Sequence, residues 1–453
     1  MTKSEVMQEV EGGLFYRLLK RLIDVRPVEM QALGWSWLYI FCVLSSYYIL
    51  RPIRDEMGVA GGVENLQWLF TGTLLGMILV NPPFAALVAK LPRVRFITVT
   101  YRFFIANLLI FIALFHVATA AQHIWMGRAF FVWTSVFNLF VVSVFWALMV
   151  DVFDSEQGKR LFGFIAAGAT LGGIAGSSIT ASLAREVPAT YLLLGSAILL
   201  EAALLSVRRL ARLSDALYQR PAAQSEEAVI GGNMLAGLTH TFKSPYLANV
   251  SVYILLFAIT STLLYFQQAE IARQSFADRG ARTAFFARID LWVNVLTLGA
   301  QLFLTGRVLR AIGVALTLAL LPALSTLGFS ALATTPTIAV LVVYQVLRRA
   351  GNFAFARPSR EVLFTVVPRE DKYKAKSFID TVVYRTGDQV GAWSSATLGF
   401  LGLTMTGISM IAVPISIAWL FNGLWLGRKQ EGMAAAEPSS ARVQSSTFKV
   451  QRG

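Results

Sequence analysis

Between residues 96 and 118 the only ionisable groups apart from tyrosine are Arg102 and His116, set among apolar side chains. As a helix rising about 1.5 Å per residue, such a stretch crosses hydrocarbon about 30 Å thick. Eleven further stretches resemble it, so the expectation is an all-α membrane protein with twelve spans. Six cover roughly residues 33–50, 67–89, 96–118, 124–150, 162–184 and 190–207. Six more cover roughly 246–270, 284–304, 312–333, 337–357, 375–400 and 404–427. Charged residues make up 15% of the chain and hydrophobic ones 56%, against about 25% charged in soluble domains. Soluble enzymes, nucleic-acid readers and disordered scaffolds are excluded on that ground.

The net charge of +14 does not imply nucleic acid, because the lysines and arginines sit in short loops between apolar runs. With the N-terminus inside, about 28 of the 40 cationic residues fall on the inner side and about 8 on the outer. That bias predicts both termini in the cytoplasm and an address in the bacterial inner membrane. The poorest fit is the loop after span 7, where Arg273, Arg279, Arg282 and Arg288 would face outward. The first 30 residues are charged throughout and the first apolar run continues as a span, so no cleavable signal peptide is expected. Cys42 is the one cysteine, which rules out an internal disulfide or a cysteine-based metal site.

Five regions are expected. Residues 1–32 form a cytoplasmic N-terminal segment, 33–207 a first six-helix bundle, 208–245 a cytoplasmic linker, 246–427 a second six-helix bundle and 428–453 a disordered tail. Within the first region, Leu14, Phe15, Leu18, Leu19, Leu22 and Ile23 take one half of a helical wheel, and Arg17, Lys20, Arg21 and Asp24 the other. That pattern suits a helix lying on anionic lipid, with a solvated cap helix as the alternative. The linker carries Arg208, Arg209, Arg212, Pro221, Glu226 and Glu227.

The halves echo one another. Lys90-Leu-Pro-Arg93 follows span 2 and Gly306-Arg307-Val-Leu-Arg310 follows span 8. Registering Lys159 on Lys374 places Gly172 on Gly387 and Gly176 on Gly391. Gly168, Gly172 and Gly176 are spaced by four, which makes a smooth face for another helix backbone. That face serves either motion or fixed packing. Two six-helix halves joined by a cytoplasmic linker resemble the major facilitator superfamily, whose architecture implies a midplane solute site and alternating access.

Ionisable groups inside spans are costly, roughly 2.5–3.5 kcal/mol each on insertion scales, and usually face a cavity or a partner. They are the candidate substrate-binding residues. In span 11, Asp380, Tyr384, Asp388 and Ser395 fall on one stripe, and Arg385 stands three residues before Asp388. The stripe lines a substrate path or makes structural ion pairs. Span 10 carries Arg348 and Arg349, followed by Asn352, Arg357, Arg360 and Glu361. Arg349 and Asn352, three apart, suit an anionic group through fork-shaped hydrogen bonding. Span 1 ends in Tyr47, Tyr48, Arg51, Arg54, Asp55 and Glu56, with Arg51 and Asp55 one turn apart. These form an anion-attracting vestibule or snorkel to the headgroups. Asp290, one turn before Asn294, is the candidate proton-coupling residue, or else pairs with Arg288 or Arg102. Asn138 and Glu201 are weaker candidates. No ATP-binding G-x-x-x-x-G-K-[ST] loop and no H-E-x-x-H run occurs. His116, His123 and His240 read as incidental, and no cofactor, metal or catalytic group is expected.

Three segments carry a closer likeness. Tyr48-Ile-Leu-Arg51-Pro-Ile-Arg54-Asp55 resembles the end of the first span in the bacterial and plastid ATP/ADP translocases, a nucleotide antiporter family. The run Trp133 to Gly176, with Phe145-Trp146, Asp154 and Gly158-Lys-Arg-Leu-Phe-Gly163, resembles their spans 4 and 5. Arg360-Glu361 and then Lys374-Ala-Lys-Ser-Phe-Ile-Asp380 resemble the passage from span 10 into span 11. The resemblance implies nucleotide exchange through charged residues in the spans. A lysine near the end of that family's first span corresponds to Arg54, which keeps the charge. A glutamate of the fourth falls on Asn138 and one of the seventh near Leu264 or Tyr265, both lost. A lysine of the eleventh falls on Asp388, which reverses the sign. The expected function is therefore a monomeric secondary transporter for an anionic or zwitterionic organic solute, with nucleotide-like exchange as one version. The competing expectation is a lipid scramblase or a non-transporting scaffold or sensor on the same fold.

Overall fold

The computed structural model describes residues 25–217 (Asp154 apart), 244–367 and 375–436 (Ser377 apart). The amphipathic stretch Leu14–Asp24, most of the expected linker and the end of the tail lie outside the described residues. Everything regular among the described residues is helical. Hydrocarbon offers no partner for a free backbone N–H or C=O, so each span satisfies its own.

A 3₁₀ turn at Pro27–Glu29 leads into α1 (Met30–Ala60). Then come α2 (Leu66–Lys90), α3 (Arg93–Val117), α4 (Ala120–Val152), α5 (Ser155–Leu183) and α6 (Ala189–Leu217). The later helices are α7 (Pro245–Ser275), α8 (Arg279–Phe303) and α9 (Thr305–Thr334). Next, α10 (Ile338–Gly351) runs through a π turn at Asn352–Ala356 into α11 (Arg357–Leu363). A second π turn, Ile379–Val383, opens α12 (Tyr384–Phe400), and α13 (Met405–Ala436) follows. Several borders differ from expectation by more than a turn. Among them, α1 continues past residue 50 to Ala60, α5 starts at Ser155 rather than 162 and α9 at Thr305 rather than 312. Likewise α6 continues past residue 207 to Leu217, and α13 past residue 427 to Ala436.

Ten helices among the described residues are long and apolar enough to cross a membrane. The two remaining expected spans are the most polar. The α8 segment carries Arg279, Arg282, Arg288 and Asp290, and α12 is short, with Arg385 and Asp388 in its first turns. The chain is an integral membrane protein.

The chain divides into two compact units. The first takes the described residues up to 217 with Ala269–Leu298; the second takes those from 244 to 268 with those from Gly299 onward. In the first unit α1 is the central rod, packed against α4, α5 and α6. Its tight contact with α5 follows from the glycines. A Cβ on Gly172 would stand 2.4 Å from the Phe41 carbonyl oxygen, and one on Gly176 would stand 2.3 Å from that of Ser45. Ser45 Oγ donates to the Gly172 carbonyl at 3.1 Å, and the hydroxyls of Ser46 and Ser196 join α1 to α6 at 2.6 Å. Aromatic rings fill the α3–α4 seam, with Trp133 stacked on Phe137 at 5.3 Å and Phe104 edge-on to Phe137 at 5.1 Å.

The second unit uses the same device. On α12, a Cβ on Gly387 would lie 2.9 Å from the Leu255 carbonyl oxygen of α7, and one on Gly391 would lie 3.0 Å from that of Ile259. The registered glycine pairs of the two halves thus perform the same packing task. In this unit α9 is broken at Gly313, whose φ of 75° favours glycine. Glu431 of α13 caps the restarted helix: its Oε1 accepts from the backbone N–H of Val314 at 2.8 Å and of Ala315 at 3.2 Å.

Candidate functional site

Two polar groupings stand out, one in each unit. In the first, the end of α1 meets the start of α8. Arg51 and Asp290 form an ion pair at 3.4 Å, and the Asp290 side chain is only 2% exposed. Arg102 instead pairs with Glu201 at 2.8 Å. One turn further on, Glu56 holds two guanidinium groups. Arg279 donates to it through Nε at 3.0 Å and Nη2 at 3.1 Å, and Arg282 through Nη2 at 3.1 Å. The Glu56 side chain is 3% exposed. Arg282 also donates through Nη1 to the Phe276 carbonyl at 3.0 Å, which ties the α7–α8 loop to the same carboxylate. Two of the arginines that fit poorly in an outward loop, Arg279 and Arg282, thus share one carboxylate within the protein. Arg273 pairs with Glu270 at 2.6 Å.

Arg54 binds its neighbour Asp55 at 2.6 Å through Nη2 and lies over the Phe131 ring at 5.0 Å. Arg51 reaches Asp290 of α8, and Asp55 is held by Arg54. Asn138, on α4, is half-buried. A cavity of about 630 Å³ opens beside Glu56, lined among others by Met57, His116, His123, Arg185 and Arg279.

The second grouping centres on Phe257 of α7. Arg348 lies over its ring at 5.3 Å and Arg360 at 5.9 Å, and the rings of Trp419 and Tyr384 stand 5.8 and 6.1 Å away. Arg360 pairs with Asp380 at 3.7 Å. Arg385 pairs with Asp388 at 3.1 Å, and Asp388 also accepts from Thr262 Oγ1 at 3.3 Å. The carboxylate is buried, while the Arg385 side chain is 34% exposed. The expected stripe on span 11 survives for Tyr384, Asp388 and Ser395, but not for Asp380. The π turn at Ile379–Val383 inserts an extra residue ahead of them and rotates Asp380 out of register. Arg349 and Asn352 are half-buried at the junction of α10 and the next π turn, and Asn352 Oδ1 is buried without a hydrogen-bond partner among the described residues.

Of the two consecutive arginines on α10 it is Arg348 that faces inward. It donates through Nε to Ser325 Oγ at 3.1 Å and through Nη1 to Ser261 Oγ at 2.9 Å. Nη2 donates to Thr260 Oγ1 at 2.9 Å and to the Phe257 carbonyl at 3.3 Å. Arg348 was named from sequence as an intramembrane charge but not as a site residue. The hydroxyl run Thr260-Ser261-Thr262 on α7, aligned with a buried arginine, is the signal that singles it out. Among the described residues no group of histidine, cysteine and acidic side chains suits a metal ion.

The fold is similar to that of solved membrane transporters. The nucleoside transporter NupG (a D323A mutant) superposes with a TM-score of 0.51 at 15% identity, covering 88% of this chain and 99% of that one. An autoinhibited peptide transporter of the POT family gives 0.59 at 14% identity, covering 90% and 97%. In sequence, the chain is similar to ADP,ATP carrier protein 1 of Chlamydia trachomatis, with 20% identity and 93% of each chain covered. It is likewise similar to ADP,ATP carrier protein 2 of Chlamydia pneumoniae, at 21% identity with 98% and 99% covered. No protein-family model matches it.

Proposed function

We propose that this chain is a monomeric secondary transporter of twelve spans that moves an anionic or zwitterionic organic solute by alternating access, with exchange of nucleotide-like solutes as one version. Its setting is the bacterial inner membrane with both termini cytoplasmic, in keeping with the loop charges. In the first unit Arg51, Arg54 and Asn138 contribute to solute binding, and Asp290 carries the coupling proton. In the second unit the binding residues are Arg349, Asn352, Asp380, Tyr384, Arg385 and Asp388. The reading rests on one observation: Arg385 holds the buried Asp388 at 3.1 Å while remaining 34% exposed itself. A guanidinium in that state keeps donors for a second, incoming anion. Similarity to the chlamydial carriers over nearly the whole chain supports transport. The loss of charge at Asn138 and its reversal at Asp388, set against the resemblance to the translocases, leave the solute broader than a nucleotide triphosphate.

The test is uptake into proteoliposomes from a panel of nucleotides, phosphate and organic acids, with a fluorescent-lipid flip assay alongside. Saturable uptake of an anionic member that falls in Arg385→Gln is the expected result. Lipid flipping without solute uptake would replace this reading with that of a scramblase.

A further inference from the structure

Arg348 differs from every other arginine placed in these groupings. The residue is only 3% exposed, and its hydrogen bonds to Ser325, Ser261, Thr260 and the Phe257 carbonyl all end on neutral oxygens. In this unit Arg360, Arg385 and Lys376 each pair with a carboxylate; among the described residues no carboxylate pairs with Arg348. The rings of Phe257 and Trp419 lie 5.3 and 6.0 Å from its Cζ and spread its charge without cancelling it. A cation buried in this way is among the most costly arrangements a protein sustains. A clamp between α7, α9 and α10 does not by itself call for a charge, since hydroxyls and a carbonyl also accept from neutral donors. The cost is explained if the charge itself is what the fold retains.

The charge also has somewhere to act. The span Ile338–Leu363 holds Arg348, Arg349, Arg357 and Arg360 against Glu361 alone. On α7, Thr260 and Ser261 serve Arg348, and the next residue, Thr262, serves Asp388. The unpaired cation and the Arg385–Asp388 pair are therefore bound by consecutive residues of one helix.

We infer that Arg348 sets the charge selectivity of transport: it is a fixed cation, out of the solute's reach, whose field makes the second bundle favour anionic over neutral solutes. The inference deepens the transport reading above and rests on it. Two unit charges about 10 Å apart at an effective dielectric near 20 shift a binding equilibrium by about tenfold or slightly more.

The experiment is competition in proteoliposomes, with AMP against adenosine and a dicarboxylic acid against its monoamide as matched pairs. The preference of the unaltered protein for the anionic member should fall about tenfold in Arg348→Gln and recover in Arg348→Lys. The double variant Ser261→Ala/Ser325→Ala loosens the clamp but keeps the cation, and it should retain the preference even where its melting temperature falls. An unchanged preference in a folded Arg348→Gln protein would overturn the inference, as would a preference lost in the serine variant. Absence of uptake of any panel member by the unaltered protein would instead remove the transport reading itself, and this inference with it.

Discussion

Arg51 of α1 and Asp290 of α8 face each other at 3.4 Å, and the carboxylate is almost wholly enclosed. Removing one member of such a buried pair strands the other, at a cost of about 3–5 kcal/mol, whereas removing both charges is far milder. Arg51→Gln and Asp290→Asn should each lower the melting temperature in detergent by several degrees, and the double variant should regain most of the loss. If Asp290 also carries a coupling proton, the double variant will be stable but its uptake will no longer depend on pH. Equal melting of single and double variants would show that the two residues do not act as a pair.

Glu56 is a hub of a different kind, because one carboxylate holds two guanidinium groups, of Arg279 and Arg282. Glu56→Gln leaves two cations side by side and should drive the start of α8 away from α1. Thr283, one turn from Arg279, is buried and suits a reporter. In a background without Cys42, the one native cysteine, a cysteine introduced by Thr283→Cys should react slowly with a maleimide. It should react severalfold faster once Glu56→Gln is added. An unchanged rate would mean that Glu56 does not hold this end closed.

The shared glycine register makes a sharper structural prediction. Gly172 and Gly391 have no room for a methyl group, since backbone oxygens lie 2.4 and 3.0 Å from an ideal Cβ. Gly163 and Gly195 have open space. Alanine at either of the first pair should destabilise by about 1–3 kcal/mol through forced separation of packed helices. Alanine at either of the second should be neutral or slightly stabilising, as helix propensity favours it by about 1 kcal/mol. Melting of the four variants in one detergent is sufficient to compare them.

These glycines were legible in the sequence because a spacing of four is a property of one helix, and the register between halves follows from aligning Lys159 with Lys374. The apolar runs were legible for the same local reason. Partners across the fold were not. A helical wheel offers Arg51 the neighbour one turn away, Asp55, and is silent about Asp290 on a distant helix. It also assumes a constant turn angle, so the π turns at Asn352–Ala356 and Ile379–Val383 were invisible. One of them moved Asp380 off the expected stripe and onto Arg360. The choice between the consecutive residues Arg348 and Arg349 depended on which helices lie beside α10, and a single chain's periodicity does not contain that.

Asp388 offers the most direct view of how solute and protein compete. Within the proposed transport cycle, its carboxylate occupies one donor of Arg385 at 3.1 Å, on the side that an anionic solute must otherwise take. Asp388→Asn keeps an acceptor for Thr262, which donates to it at 3.3 Å, while freeing Arg385 of its internal counter-ion. Since a partly exposed ion pair is worth roughly 1 kcal/mol, the apparent KM for an anionic solute should fall about fivefold. The maximal rate should fall as well, because a solute held more tightly by Arg385 leaves more slowly. Arg385→Gln acts in the opposite sense: the KM rises, and Asp388 is left buried with only a hydroxyl to stabilise it. Uptake kinetics of the two variants, measured on the same solute, separate a displaceable pair from a purely structural one. A structural pair would lower the rate in both variants and move neither KM.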